Sequence, residues 1–199
     1  MLQNIEIDYK LLGKAKEYYS KINYKYIELP WFIPLTQMLY TTTSDKVFST
    51  TYDENFVGSA EQSFIYYALN NKLIDKTYYQ SITPCFRRDE LDETHSTQFI
   101  KLELFYYCPS YEIDDHDNFI KNRLNIDSIV KKILFDVDKF VRDTTFDKVE
   151  IINNSKSNYD LELNAIEIGS YGYRCSDKFY WFYGTGLALP RFTYAINKK

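Results

Sequence analysis

Pro84-Cys-Phe-Arg-Arg-Asp-Glu90, followed by His95-Ser-Thr-Gln-Phe-Ile-Lys-Leu-Glu103 and, far downstream, Tyr183-Gly-Thr-Gly-Leu-Ala-Leu-Pro-Arg-Phe192, decide how the chain reads. The first closes a strand-like run, Tyr78 to Phe86, on Arg87. The second opens a return strand, Gln98 to Tyr107, after the charged loop Arg88 to Ser96. Two strands joined by such a loop predict an antiparallel pair with the loop as a lid. Side chains alternate along a strand, so Phe99, Lys101 and Glu103 share a face. The third stretch reads as a glycine-rich turn at Gly184 and Gly186 that opens a helix, with Arg191 about one turn inside it. Glycines let a backbone approach a ligand closely, and a helix start aims amide donors at it. A strand-borne guanidinium can grip a phosphate through two parallel donors, and an aromatic face can stack on a purine. Either half alone fits an ordinary surface hairpin or helix start. Together they suit a bent nucleoside triphosphate, with magnesium, lying on a sheet.

Around these stretches the elements fall in a simple order. Leu11, Leu12, Ala15, Tyr18, Tyr19 and Ile22 recur at helical spacing and predict a helix over Asp8 to Ile22. Tyr24 to Leu29 alternates and stops at Pro30, as a strand does. Leu35 to Asn55, rich in Thr, Ser and Asp, reads as loop. Ser59 suits the cap of a helix running to about Leu69. Cys108 to Asp117 is a polar connection. Phe119 to Arg142 carries one apolar face and is the clearest helix. Lys148 to Ile152, Tyr159 to Ile168 and Phe179 to Tyr183 read as strands. This order predicts an α+β fold, an antiparallel β-sheet flanked by helices, in a single domain spanning 1–199.

Bulk composition narrows the function classes. The net charge of −4 argues against a domain that clamps nucleic acid by bulk electrostatics. Three cysteines without CxxC spacing make a disulfide framework a poor fit and a reducing compartment a better one. Met1-Leu-Gln-Asn-Ile-Glu lacks the pattern of a secretory signal, and no apolar run approaches the roughly 18 residues that span a bilayer. The expectation is a soluble, cytoplasmic protein that makes no membrane contact.

The same residues resemble a known family, the class II aminoacyl-tRNA synthetases, through their second and third signature motifs. Phe86-Arg87-Arg88-Asp89 resembles the phenylalanine-arginine-x-acid motif, with Asp89 replacing the usual glutamate. Gln98-Phe-Ile-Lys-Leu-Glu103 is similar to the seryl-type ending of the second motif, and Gly184-Thr-Gly-Leu-Ala-Leu-Pro-Arg191 to the seryl-type third motif. Gly58-Ser-Ala-Glu61 resembles the Thr-x-Glu element of the seryl, threonyl and prolyl group. Tyr159-Asp-Leu-Glu162 and Glu167-Ile-Gly-Ser170 resemble the strands before the third motif. A helix followed by Tyr26-Ile-Glu-Leu-Pro30 approximates the first motif. The resemblance covers roughly Lys10 to the end and corresponds to a stand-alone catalytic core.

It implies an AMP-forming ligase that activates an amino acid with ATP and Mg. Arg87 would bind the α-phosphate and, with Arg191, carry catalysis. Phe99 would stack on adenine, with Arg191 facing it or reaching the γ-phosphate. Asp89 would meet the adenine amino group, His95 would sit near the outer phosphates, and Gly184 and Gly186 would approach the nucleotide. Glu61, Glu103 and Ser170 would hold the amino acid, and Glu167 would carry Mg. The cysteine that zinc-dependent relatives place near Glu61 is missing, which argues against zinc. The acceptor would be a carrier protein, a small molecule or tRNA, and the assembly a homodimer about the first motif. A minimal aminoacyl-tRNA ligase, or a catalytically silent paralogue that binds an amino acid or nucleotide, are the alternatives.

Overall fold

The computed structural model describes residues 6–52, 54–88, 92, 94–109, 125–147 and 149–198. Two long helices follow the apolar spacing. Helix α1, Tyr9–Lys21, starts where the Asp8 side chain accepts a hydrogen bond from the Leu11 amide, and it buries Leu11, Leu12, Ala15 and Tyr19. Helix α4 spans Ile126–Thr145 in the described residues; the expected start at Phe119 lies outside them. Asn125 caps it, and Ile129, Val130, Ile133, Leu134, Val137, Phe140 and Val141 are buried. At its end Phe146 sits in the left-handed region at φ 61°, with its side chain 90% exposed. A Cβ there is strained and its ring contacts little. Phe146→Gly is therefore expected to raise stability by about 1 kcal/mol in urea unfolding.

Both helices cover one face of a seven-stranded sheet. Its strands are β1 (Lys25–Tyr26), β5 (Tyr78–Phe86), β6 (Gln98–Pro109), β7 (Val149–Ser155), β8 (Asn158–Leu163), β9 (Ile166–Cys175) and β10 (Phe179–Leu189). The order is β1-β5-β6-β10-β9-β8-β7. All neighbours are antiparallel except β1 and β5. On the helix-covered face lie Leu102, Leu104, Tyr106 and Phe182, packed with α1 and α4 into the main core.

The opposite face receives helix α3, Ala60–Leu69. Ser59 and Gln62 form a capping box at its start, as Ser59 promised. Phe64 and Ile65 pack on Tyr79, Phe105 and Trp181. Next to α3 stands a small sheet of β2 (Phe32–Ile33), β3 (Phe48–Ser49) and β4 (Asn55–Phe56), ordered β2-β4-β3. It closes over Ile33, Met38, Val47 and Val57.

Three expectations need correction. Leu35 to Asn55 is not plain loop: it holds α2 (Leu35–Met38), a 3₁₀ turn (Ser44–Lys46) and β3, pieces too short to leave a periodic signal. Tyr159 to Ile168 is not one strand but the β8–β9 hairpin, turned by Asn164 and Ala165 at φ 52° and 59°. The Gly184-Thr-Gly186 segment is not a turn: β10 runs through it to Leu189, with a register shift between Thr185 and Leu187. Helix α5, Arg191–Asn197, starts only after Pro190, so Arg191 is its first residue rather than a turn inside.

Candidate functional site

The β5–β6 register pairs Cys85 with Phe99, Thr83 with Lys101 and Ser81 with Glu103, so all six lie on the α3 face. Cys85 is fully buried, and burial pushes its thiol up to about 12, so it acts as neutral filler. Arg87 follows the end of β5, its amide donating to the Thr97 carbonyl at 3.0 Å. Its guanidinium stands 4.9 Å over the centre of the Phe99 ring. The Arg87 stem lies on Gly58, where a Cβ would come within 2.7 Å of Arg87 Cγ. Only a glycine lets the segment before α3 pass this close.

Arg191 reaches the same space from the end of β10. Its Nε donates to the Thr94 carbonyl at 3.1 Å, and its Nη1 lies 3.5 Å from Glu167 Oε1. Thr94 bonds Asp92 at 2.9 Å, and His95 Nδ1 is 2.8 Å from Asp92 Oδ2. Backbone and side-chain donors from Thr94 and His95 hold the Asp92 carboxyl well below its usual range.

These groups line one cavity that opens to solvent. Six of the residues expected from the sequence line it: Arg87, His95, Phe99, Glu167, Ser170 and Arg191. Lys101, which alternation put on the Phe99 face, lines it too, as do Gly58, Ser59, Gly169 and Thr185, which the sequence did not single out as ligand-facing. Asp89 lies outside the described residues. Gly184 and Gly186 do not line the cavity. A Cβ on Gly184 would sit 2.5 Å from Ile133 Cγ2, and one on Gly186 2.5 Å from Leu102 Cδ2. Both glycines are there for close packing on the helix side of the sheet, which corrects their expected approach to a nucleotide.

A buried polar cluster adjoins the cavity beneath the start of α3. Glu103 is fully buried. Its Oε2 accepts from the Ser59 hydroxyl and from Lys101 Nζ, the latter at 2.8 Å. Burial pushes the Glu103 carboxyl up, and the Lys101 charge opposes that shift. Its other oxygen, Oε1, is buried without a hydrogen-bond partner among the described residues. Glu61 is also buried: its Oε1 accepts from Trp181 Nε1 at 2.7 Å and pairs with the Arg174 guanidinium. Arg174 in turn stands 4.5 Å over the Tyr183 ring. Reading β9 through to Cys175 would have put Arg174 on this face by alternation, but its partner Glu61 is distant in sequence.

No protein-family model and no curated protein sequence matches the chain. Solved structures do. The seryl-tRNA synthetase of Pyrococcus horikoshii, complexed with ATP, superposes with a TM-score of 0.70 at 16% identity over 95% of this chain and 49% of its own. The cytoplasmic serine-tRNA ligase of Naegleria fowleri, in complex with AMP, gives 0.68 at 17% identity over 94% and 52%. The pyrrolysyl-tRNA synthetase of Desulfitobacterium hafniense gives 0.67 at 14% identity over 97% and 68%. The chain thus spans about half the length of the two seryl enzymes. The sheet order, the flanking helices and these superpositions agree: the chain has the fold of a class II aminoacyl-tRNA synthetase catalytic core.

Proposed function

We propose that the protein activates an amino acid with ATP, forming an aminoacyl adenylate and releasing pyrophosphate. The observation that carries this reading is the convergence of Arg87 and Arg191 on one cavity whose wall includes Phe99. A carboxylate oxygen of the amino acid would attack the α-phosphorus. The bond from that phosphorus to the bridging oxygen would break, and pyrophosphate would leave with the electron pair. No enzyme nucleophile is required; positioning and charge neutralisation are enough. Arg87, held by Gly58 and Phe99, would neutralise charge on the α-phosphoryl oxygens. Arg191 would exchange its Thr94 and Glu167 contacts for adenine or the outer phosphates, near His95.

Glu167 and Ser170 offer hard oxygen donors on the cavity wall, which suits Mg. A bound Mg would neutralise phosphate charge. Glu103, with its orphaned Oε1, would take the α-ammonium. Glu61, clamped by Trp181 and Arg174, would brace that end of the pocket. The adenylate would pass to a carrier protein, a small molecule or tRNA, and charging of total tRNA separates the last from the others. Two copies would pair through α1 and Tyr26–Pro30, which sedimentation would register as a dimer. No helix among the described residues is long and apolar enough to cross a membrane; we assign the protein to the cytoplasm.

Amino acid-dependent exchange of labelled pyrophosphate into ATP tests the reaction. Exchange with one or a few of the standard amino acids is expected, and none with any of them contradicts it. Phe99→Ala should raise the ATP KM about 10- to 100-fold through lost base stacking while leaving the amino acid KM nearly unchanged. A second reading, a silent paralogue that only binds, is favoured by one fact: the two buried carboxylates beside the cavity already carry an internal cation, Lys101 on Glu103 and Arg174 on Glu61. Pyrophosphate exchange together with calorimetry tells the two apart: a protein that binds ATP with Mg or an amino acid yet exchanges no pyrophosphate is the silent one, whereas the activating enzyme must do both.

A further inference from the structure

The two ion pairs beneath α3 differ in a way that assigns a role to Lys101. The Arg174–Glu61 pair is braced at both partners: the indole of Trp181 bonds the same carboxylate oxygen, and the guanidinium, on a side chain 38% exposed, stacks on Tyr183. The Lys101–Glu103 pair differs in that its cation borders the cavity. Lys101 lines the cavity, its side chain 15% exposed, whereas Glu103 is fully buried. Both stand on the same face of β6, and the flexible stem of Lys101 folds along the strand to bring Nζ within 2.8 Å of Oε2. A planar guanidinium locked by a ring cannot withdraw at little cost, but an ammonium on a four-carbon stem can. Glu103 also keeps one contact independent of Lys101, the Ser59 hydroxyl on Oε2, and one buried acceptor, Oε1, that has no hydrogen-bond partner among the described residues.

We propose that Lys101 is an internal stand-in for the substrate's α-ammonium, a positioning residue that the amino acid displaces from Glu103. This rests on the reading that Glu103 receives that ammonium. In the empty site Lys101 spares the protein a buried, uncompensated carboxylate, which would be strongly destabilising. When an amino acid arrives, one cation replaces another beside Glu103, and Lys101 Nζ withdraws into the cavity that it lines. The exchange makes the site a competition: apparent affinity is the intrinsic affinity multiplied by the fraction of molecules in which Lys101 has withdrawn. A simple amine gains nothing over Lys101, whereas an amino acid brings a carboxylate for the cationic end of the cavity as a second anchor. The internal cation therefore selects amino acids over amines.

The test is equilibrium calorimetry of the twenty standard L-amino acids, each alone, with the full chain. Every protein is titrated in the same buffer near neutral pH. Removing the competitor should tighten binding: Lys101→Met is expected to bind the preferred amino acid at least about tenfold more tightly than the native chain. Glu103→Gln should lose it, and the double variant should not regain it. A merely structural lysine would do the reverse, since its loss would loosen the pocket. Should Lys101→Met unfold, Lys101→Gln keeps the stem polar and carries the same expectation. Unchanged or weaker binding by the folded variant overturns the proposal, and so does a failure of every protein to bind any amino acid. Pyrophosphate exchange by the native chain separates this from the proposed reaction. Tighter binding by the variant without native exchange sinks the reaction but supports the displacement. Native exchange with unaltered affinity in the variant sinks only the displacement.

Discussion

Alanine at Arg87 is expected to slow amino acid-dependent pyrophosphate exchange by about 10²- to 10³-fold, equivalent to about 2.7–4 kcal/mol of transition-state stabilisation. The size follows from preorganisation. The Arg87 stem rests on Gly58, its guanidinium lies over Phe99, and its backbone is pinned to Thr97. The charge is therefore in place before the α-phosphoryl group develops its own. Because the contact strengthens only as that charge develops, kcat and kcat/KM should fall together. The neighbouring arginine supplies the control. Arg88 points to the small sheet, its guanidinium 5.0 Å over Phe48 and its amide on the Lys46 carbonyl. Arg88→Ala should leave exchange within about twofold of the native rate, as surface changes away from a site usually do. Steady-state exchange kinetics of the two variants decide the matter. A larger loss at Arg88 than at Arg87 would mean that the phosphate lies on the other side of the strand end.

Phe64→Ala is expected to cost about 3–5 kcal/mol of folding stability, read from urea unfolding. Phe64 is fully buried and stacks on Phe105, ring centres 4.6 Å apart and planes 6° from parallel. It is the wedge that seats α3 on the open face of the main sheet, beside Ala60 and Trp181. Removing the ring leaves a cavity under the helix whose start carries Ser59 and Glu61. The variant should therefore also bind amino acids more weakly where it remains folded. Phe135→Ala gives the contrast, because that ring on α4 is 65% exposed and its loss should change stability by no more than about 0.5 kcal/mol.

What the sequence revealed follows from where the signal lies. The apolar stripes of α1 and α4 repeat often enough to be read, and Ser59 marks a helix start by its chemistry alone. Alternation put Phe99, Lys101 and Glu103 on one face, and the ladder agrees. The small sheet left no trace, because two-residue strands show no period. The β8–β9 hairpin was hidden by Asn164-Ala165, which turns without the glycine that usually announces such a bend. Gly184 and Gly186 misled for a physical reason. A glycine demanded by tight packing against Ile133 and Leu102 looks, in sequence, like one demanded by a turn. The site was half legible: the arginines and Phe99 stand in recognisable strings, whereas the clamp on Glu61 and the Ser59 bond to Glu103 depend on through-space partners. Arg174 and Trp181 are more than a hundred residues from Glu61, and no local pattern reports such a contact.

A crystal structure of the protein grown with ATP and Mg tests the convergence most directly. The expected result is one nucleotide in the cavity, its α-phosphate on Arg87, its adenine against Phe99, and Arg191 drawn from Thr94 and Glu167 onto the same molecule. ATP bound elsewhere, or bound by Arg87 while Arg191 keeps its contacts to Thr94 and Glu167, would contradict it.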